Sequence, residues 1–324
     1  MSSQPPAPLP PTAGLDFTPT THSQVPLSLL PEKTTLHTPF TIAITGAGKG
    51  LGYHIALSFA QAGASHLAIC SRTLSDLRNL SSAIKKINPD AEVLEQVCDT
   101  TKQEDVDKFV SEVESRWGRL DVCIANAGII SKYITPQGDG TQDQDQRLPI
   151  GLLEDSDWDR VLSTNLSGTW RIARAFLPLL IRTPKNTTGS PRSLIVITSL
   201  ASHSAHSTYT TTAYNISKLA INRLVEHIDS DHGPKTRDGV NVFAVHPGAV
   251  MTPQTEGHKG EIWKQVLVDE VGLAGAWCVW LCKEQGGRGW LSGRYVSVNW
   301  DVEELEEKKE EILERDLLKF RMVV

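Results

Sequence analysis

Seven short runs of β-branched and apolar residues recur along this chain of 324 residues, with a helical pattern between each run and the next. They lie at 40–45, 66–70, 92–97, 120–125, 193–198, 240–245 and 295–298. Between the second and third, Leu74, Leu77, Leu80, Ile84 and Ile87 mark one helix face by their spacing of three and four. A strand–helix–strand order of this kind demands parallel strands joined by crossovers, with helices on both faces of the sheet. The expected architecture is α/β, a doubly wound parallel sheet of about seven strands forming a single domain over residues 39–300. Both ends of the chain differ in composition. Nine of the 18 prolines fall between Pro5 and Pro39, and residues 1–38 read as an extended or disordered arm. Residues 301–324 carry nine acids and five bases and read as a charged tail, helical over 301–318. The polar stretch 131–150 reads as a long surface loop.

The first run ends in Thr45-Gly46-Ala47-Gly48-Lys49-Gly50-Leu51-Gly52, after which Leu51, Ile55 and Phe59 open a helix. A strand, a glycine turn and a helix N-terminus together make a phosphate site, because backbone N–H groups and the positive end of the helix dipole face the anion. The spacing is G-x-x-x-G-x-G, carried by Gly46, Gly50 and Gly52. It is neither G-x-G-x-x-G nor a P-loop, in which Gly-Lys precedes Ser or Thr. The end of the second run selects the nucleotide. A ribose diol needs an acceptor carboxylate about 20 residues beyond the glycines, but this chain has Cys70-Ser71-Arg72 there. Ser71 stands in the acid's place, followed by Arg72, and Lys49 adds a cation within the turn. Two cations and no carboxylate suit a 2′-phosphate, which Arg can grip with paired hydrogen bonds. The expected cofactor is NADP(H).

Tyr214-Asn215-Ile216-Ser217-Lys218 places a phenol and an ammonium four residues apart, on one face of a helix. Ile221 and Val225 continue that face, so the pair lies on a stripe expected to be buried. A phenol at its ordinary pKa of about 10 exchanges protons poorly at neutral pH, and a neighbouring ammonium favours the phenolate. Thr198-Ser199 ends the fifth run, where a hydroxyl can donate to a substrate oxygen as charge develops on it. Ser202 is an alternative to Ser199 for that role. Asn165 falls within an apolar stripe made by Trp158, Val161, Leu162, Thr169, Ile172, Ala173 and Phe176, and a buried amide must find partners. His203 and His206, three apart, have no Asp, Glu or Cys beside them and read as loop histidines facing substrate rather than metal ligands.

In this order the motifs resemble those of the short-chain dehydrogenase/reductase family, in its classical subgroup. The matches run from Thr45 to Thr252. A looser similarity, extending through Trp300 and the tail, is to fungal members associated with secondary metabolism. The resemblance implies a Rossmann-type fold and hydride transfer between NADP(H) and a ketone or aldehyde, with an alcohol on the other side. It assigns cofactor contacts to Thr45, Gly46, Lys49, Gly50, Leu51 and Gly52 in the turn, and to Ser71 and Arg72. It implies that Asp99 hydrogen-bonds the adenine ring, a helix cap being its competing role. Asn126-Ala127-Gly128 would back the cofactor, although Ala125 replaces an asparagine often found before them. Pro247-Gly248-Ala249-Val250-Met251-Thr252 would hold the nicotinamide end, Val250 through its backbone and Thr252 at the diphosphate. Tyr214 would exchange the proton, Lys218 would lower its pKa and hold the nicotinamide ribose, and Ser199 would polarise the carbonyl. Asn165 would bind water in a proton relay, or else act as a purely structural amide. A homodimer or homotetramer packed through the helices bearing Asn165 and Tyr214 is also implied. A non-redox enzyme of cyclase type and a nucleotide-sensing binding protein are the alternatives on this fold. The substrate walls are expected from the loop after Asn126, the histidine stretch and residues 253–272, which would form a lid carrying Trp263.

Composition narrows the partners. With 38 acids against 32 bases the chain carries a formal charge of −6, which gives no footprint for a nucleic-acid backbone. The five cysteines include no C-x-x-C pair and imply no disulfide framework, which fits a reducing, cytoplasmic compartment. No secretory leader is evident, and the longest apolar stretch, 271–282, is shorter than the roughly 20 residues that span a bilayer.

Overall fold

Seven strands form one parallel sheet, and its order explains where a ligand can enter. They are β1 (Thr41–Thr45), β2 (His66–Ser71), β3 (Glu92–Val97), β4 (Val122–Ala125), β5 (Ser193–Ile197), β6 (Asn241–His246) and β7 (Arg294–Ser297). Their order is β3-β2-β1-β4-β5-β6-β7, and every pairing is parallel. The chain runs outward from β1 to β3 and then crosses back to place β4 on the other side of β1. The strand ends therefore part between β1 and β4, which opens a crevice at this switch point. The computed structural model describes residues 10, 13–131, 157–184, 189–205, 210–255, 265–283 and 287–322. Among them no helix is long and apolar enough to cross a membrane.

The alternation of side chains along each strand divides the core in two. Ile42, Ile44, Val122, Ile124, Ile195 and Ile197 face α1 (Gly50–Gln61), α2 (Leu74–Ile87) and α7 (Leu273–Leu281). Ala43, Cys123, Ala125, Leu194 and Val196 face the opposite layer. That layer comprises α3 (Gln103–Trp117), α4 (Trp158–Leu162), α5 (Thr169–Arg182) and α6 (Thr212–His232). The expected helix through Asn165 is not uniform. A π-helical segment, Ser163–Gly168, separates α4 from α5. Such segments widen the turn by one residue and recur at functional sites. Trp158, expected in the core, is 38% exposed.

The proline-rich arm departs most from expectation. Ala13, Thr18, Leu29 and Leu36 are buried, and Leu29 and Leu36 join the core on the α1 and α7 side. The arm makes an isolated antiparallel bridge, Thr21 to Trp300. Gly14 accepts the Trp300 indole N–H at 2.7 Å, and Phe17 packs on the Trp300 ring at 5.1 Å. Sparse apolar residues anchor a segment that has no period of its own, so from residue 13 onward this is a strap rather than a disordered arm. Residues 1–9, 11 and 12 lie outside the described residues, as do 132–150 of the expected surface loop. The tail forms two short helices, α8 (Val302–Glu307) and α9 (Lys309–Glu314), instead of one. Asp301 caps α8 by accepting from the N–H groups of Glu303 and Glu304. Beyond α9, the Leu318 carbonyl accepts the Tyr295 N–H at 2.9 Å and so covers the edge of β7. A packed strap predicts that Leu29→Ala costs about 2–4 kcal/mol in urea denaturation; a loss below about 0.5 kcal/mol, ordinary for a surface position, would mean that the arm is not anchored.

Candidate active site

The crevice is lined by the glycine turn and held open by Asn126. Gly46 and Gly50 adopt left-handed φ values of 64° and 61°, which favour glycine. A Cβ at Gly52 would lie 2.5 Å from the Gly46 carbonyl and 2.6 Å from Asn126 Nδ2. Asn126 Nδ2 donates to the carbonyls of Thr45 at 2.9 Å and Gly46 at 3.2 Å. In return Thr45 Oγ1 accepts the N–H groups of Asn126 and Ala127, at 3.1 and 3.0 Å. No side chain caps the start of α1 at Lys49. Its first N–H groups thus suit an anion, and a Cβ at Gly48 would lie 2.8 Å from Ser71 Oγ and 2.9 Å from Asp76 Cβ, so the turn needs bare backbone there. These features fit a dinucleotide.

The expected phosphate ligands are not equivalent. Arg72 is exposed. Its charge helps to hold the Asp99 carboxyl low. Lys49 pairs with Asp76 at 3.5 Å and is 67% exposed, so part of its charge is already matched. Ser71 closes the end of β2, donating to the Thr73 carbonyl at 3.1 Å. Asp99 Oδ1 accepts from Thr101 N and Oγ1, at 2.9 and 2.7 Å. Burial opposes its ionisation, but these bonds and the charges of Arg72 and Lys102 outweigh it, so the carboxyl sits below its ordinary pKa. In this structure Asp99 therefore organises the turn before α3.

At the far end of the crevice Tyr214, Lys218, Ser199 and Asn165 come together. Thr211 caps α6, its hydroxyl accepting the Tyr214 N–H at 3.5 Å. The face below Tyr214 is buried as its spacing implied, with Lys218 at 5%, Ile221 at 1% and Val225 at 0% exposure. Lys218 Nζ donates to the Ile197 carbonyl at 2.9 Å and lies 5.5 Å from the centre of the Tyr214 ring. Burial pushes the Lys218 pKa down to about 8. Burial also pushes the Tyr214 phenol up, and the neighbouring Ser199 side chain only partly offsets this. The expected lowering by Lys218 is thus not what dominates here. Ser202, the alternative hydroxyl, turns away and donates to the Ser199 carbonyl at 2.7 Å. Asn165 is buried within the π segment. Its Oδ1 accepts the Ile129 N–H at 2.8 Å, and its Nδ2 donates to the Ile129 carbonyl at 2.9 Å and to Ser217 Oγ at 3.1 Å. A Cβ at Gly128 would lie 3.3 Å from Asn165 Oδ1 and 3.6 Å from Lys218 Nζ, so this glycine brings the amide and the ammonium to one point.

The family described as short chain dehydrogenase matches residues 41–261. The short chain dehydrogenase pgmD of Aspergillus terreus is 36% identical over 318 residues, covering 96% of this chain and 95% of that protein. This chain belongs to the short chain dehydrogenase family. The short chain dehydrogenase citE of Monascus ruber is 33% identical over 318 residues, covering 97% of this chain and 99% of that protein. A solved structure of 3-ketoacyl-(acyl-carrier-protein) reductase from Brucella melitensis, complexed with NADH, shares the fold. Its TM-score is 0.64 at 21% identity, covering 82% of this chain and 98% of that one. Membership supports an oxidoreductase that uses a nicotinamide cofactor and a small-molecule substrate.

In this dehydrogenase the loop after β6 also reaches the crevice. Val250 is buried, and the Thr252 side chain lies beside Gly50, 3.5 Å from where a Cβ would be. Thr255, which no motif marks, accepts the Thr252 N–H at 2.7 Å. Asp269 was not evident either: its Oδ2 accepts the Ala249 N–H at 2.6 Å from 20 residues away, across a stretch with no periodicity to flag it. His203 does not face outward. Its ring packs at 4.8 Å against both Tyr295 and Phe320, and burial pushes its pKa down to about 4. His206 and Trp263 lie outside the described residues. Because Asn126 joins β1 to β4 without any ligand, Asn126→Ala should cost about 1–3 kcal/mol in nucleotide-free protein, measured by urea denaturation; an unchanged midpoint would show that the amide does not hold the crevice.

Proposed function

We propose that this short chain dehydrogenase is an NADP(H)-dependent oxidoreductase that interconverts a ketone or aldehyde and the corresponding alcohol. The observation that carries the reading is a desolvated Tyr214 with the buried Lys218 ammonium 5.5 Å from its ring centre, at the end of a glycine-lined crevice. Bound in that crevice, NADP(H) would supply or accept the hydride. The rest is done by the protein's own groups. Burial keeps the Tyr214 phenol protonated at neutral pH, which suits it to give its proton to a carbonyl oxygen as that oxygen gains charge. The phenolate left behind is stabilised by the Ser199 hydroxyl and by the Lys218 ammonium. Ser199 also polarises the carbonyl. Asn165 fixes the segment after β4 against α6, and its position beside Lys218 supports a proton path through water to that lysine.

Arg72 carries the preference for NADP(H) over NAD(H), since Lys49 already pairs with Asp76. The fold alone does not select between them, because the Brucella reductase was solved with NADH. A homodimer or homotetramer packed through α4, α5 and α6 is supported by exposed Trp158, Trp170, Ile216 and Leu219 on those helices. Five free, buried cysteines fit a cytoplasmic setting.

The test is NADPH consumption across a panel of ketones and aldehydes. Tyr214→Phe should lower kcat by about 10²–10⁴-fold while leaving NADPH affinity within a factor of about three. No consumption by the wild type with any carbonyl, and identical behaviour of the variant, would sink the reading. The pH profile supplies a second check. Lys218 is charged below its pKa and loses the charge as pH rises through about 8, so the reduction rate should fall on the alkaline side of that value. Lys218→Arg keeps a cation at higher pH and should move the limb upward; a limb that stays in place would assign it to another group.

A further inference from the structure

We infer that Asp269 and Asn299 are positioning residues for the nicotinamide half of the site, tying the loop at 247–250 to the N-terminal strap; the inference rests on the cofactor reading above. Gly248 adopts a φ of 85°, and a Cβ there would lie 2.8 Å from Asp269 Oδ2, so the loop turns directly against this carboxylate. Ala249 and Asp269 bond to each other twice. The Ala249 N–H donates to Asp269 Oδ2 at 2.6 Å, and the Asp269 N–H donates to the Ala249 carbonyl at 3.0 Å. The same Oδ2 accepts Asn299 Nδ2 at 2.9 Å.

Asn299 extends the connection to the strap. Its Nδ2 also donates to the His22 carbonyl at 2.9 Å, and its own carbonyl accepts the His22 N–H at 2.7 Å. Ser297 Oγ steadies the amide at 3.2 Å from Asn299 Oδ1. Beside Asp269, Glu270 is gripped by the strap as well. Its N–H donates to the Ser23 carbonyl at 2.7 Å, and its Oε2 accepts the Val25 N–H at 2.9 Å. Residues 269 and 270 are thus held between the strap and the loop.

A bond to an ionised acceptor is stronger than one between neutral groups. Removing the Asp269 carboxylate leaves the Ala249 N–H without this acceptor, next to a glycine that can rotate freely. Ordering the loop then becomes a cost of binding. The glycine turn and Arg72, which serve the adenosine half, make none of these bonds. The defect should therefore be confined to the nicotinamide half.

The experiment titrates the full-length protein with NADPH and with 2′,5′-ADP, which lacks the nicotinamide. Asp269→Ala should weaken NADPH binding about tenfold and leave 2′,5′-ADP within about twofold. Asp269→Asn keeps an oxygen able to accept both bonds and should restore most of the affinity. Asn299→Ala should weaken NADPH about threefold, and it carries the test if Asp269→Ala does not fold. An unchanged NADPH affinity in the variants, or equal weakening of both ligands, overturns the inference and leaves the cofactor reading standing. Wild-type protein that binds neither ligand removes the cofactor reading, and the inference with it.

Discussion

The side-chain amide of Asn126 spans the point where the strand order reverses, and the crevice depends on it. Strands β1 and β4 bond to each other up to Ile44 and Ile124, after which their chains must separate. Beyond that register the joint is made by side chains. Asn126 holds the carbonyls of Thr45 and Gly46, and Thr45 Oγ1 holds the N–H groups of residues 126 and 127. The glycines are the other half of this device. Asn126 Nδ2 fills the space that a Cβ at Gly52 or Gly46 would need. The turn and the Asn-Ala-Gly segment are thus mutual constraints, although 80 residues separate Asn126 from Gly46 in the chain.

The Tyr214 and Lys218 end of the crevice follows a different logic, in which burial sets the protonation states. Lys218 is held by a backbone carbonyl and the face of an aromatic ring, and among the described residues it forms no ion pair with an acid. A carboxylate there would favour the ammonium but would also cancel the field that a phenolate requires. Carbonyl and ring partners leave the positive charge unneutralised, at the expense of a pKa near 8. Tyr214 is shifted the opposite way by the same desolvation. At neutral pH the two groups therefore meet as neutral phenol against ammonium.

Local patterns in the sequence are legible where a single element carries the chemistry. The G-x-x-x-G-x-G turn, the Tyr-x-x-x-Lys face and the hydroxyl after β5 each sit within one strand end or one helix turn, and the alternation of runs predicts the sheet. What was hidden depends on residues far apart in the chain. Nothing near Asp269 marks it, because its partners are Ala249 and Asn299, and the partner of Asn299 is His22. Ser199 and Ser202 differ through a 3₁₀ turn, Leu200–His203, which Ser199 Oγ caps by accepting the Ala201 N–H and within which Ser202 Oγ donates to the Ser199 carbonyl. Composition misled at the N-terminus, since proline suppresses regular structure without preventing burial of the few apolar residues between.

The termini hold no motif residue, yet the two least regular parts of the site are anchored through them. The loop at 247–250 reaches the strap by way of Asn299, just after β7. The serine turn reaches the tail by way of Tyr295, within β7: His203 packs on Tyr295 and Phe320, and Tyr295 in turn packs on Trp300 at 6.2 Å. Burial keeps both His203 and Tyr295 neutral at physiological pH, so this cluster acts through shape and contact rather than charge. Strand β7 lies at the edge of the sheet, with one neighbouring strand instead of two. An edge strand is held less firmly than a central one unless something covers it. Here Leu318 of the tail bonds to it and Gly14 and Thr21 of the strap bind the tryptophan just beyond it. The ends of the chain therefore give an edge strand the rigidity that a site on central strands would have from its neighbours.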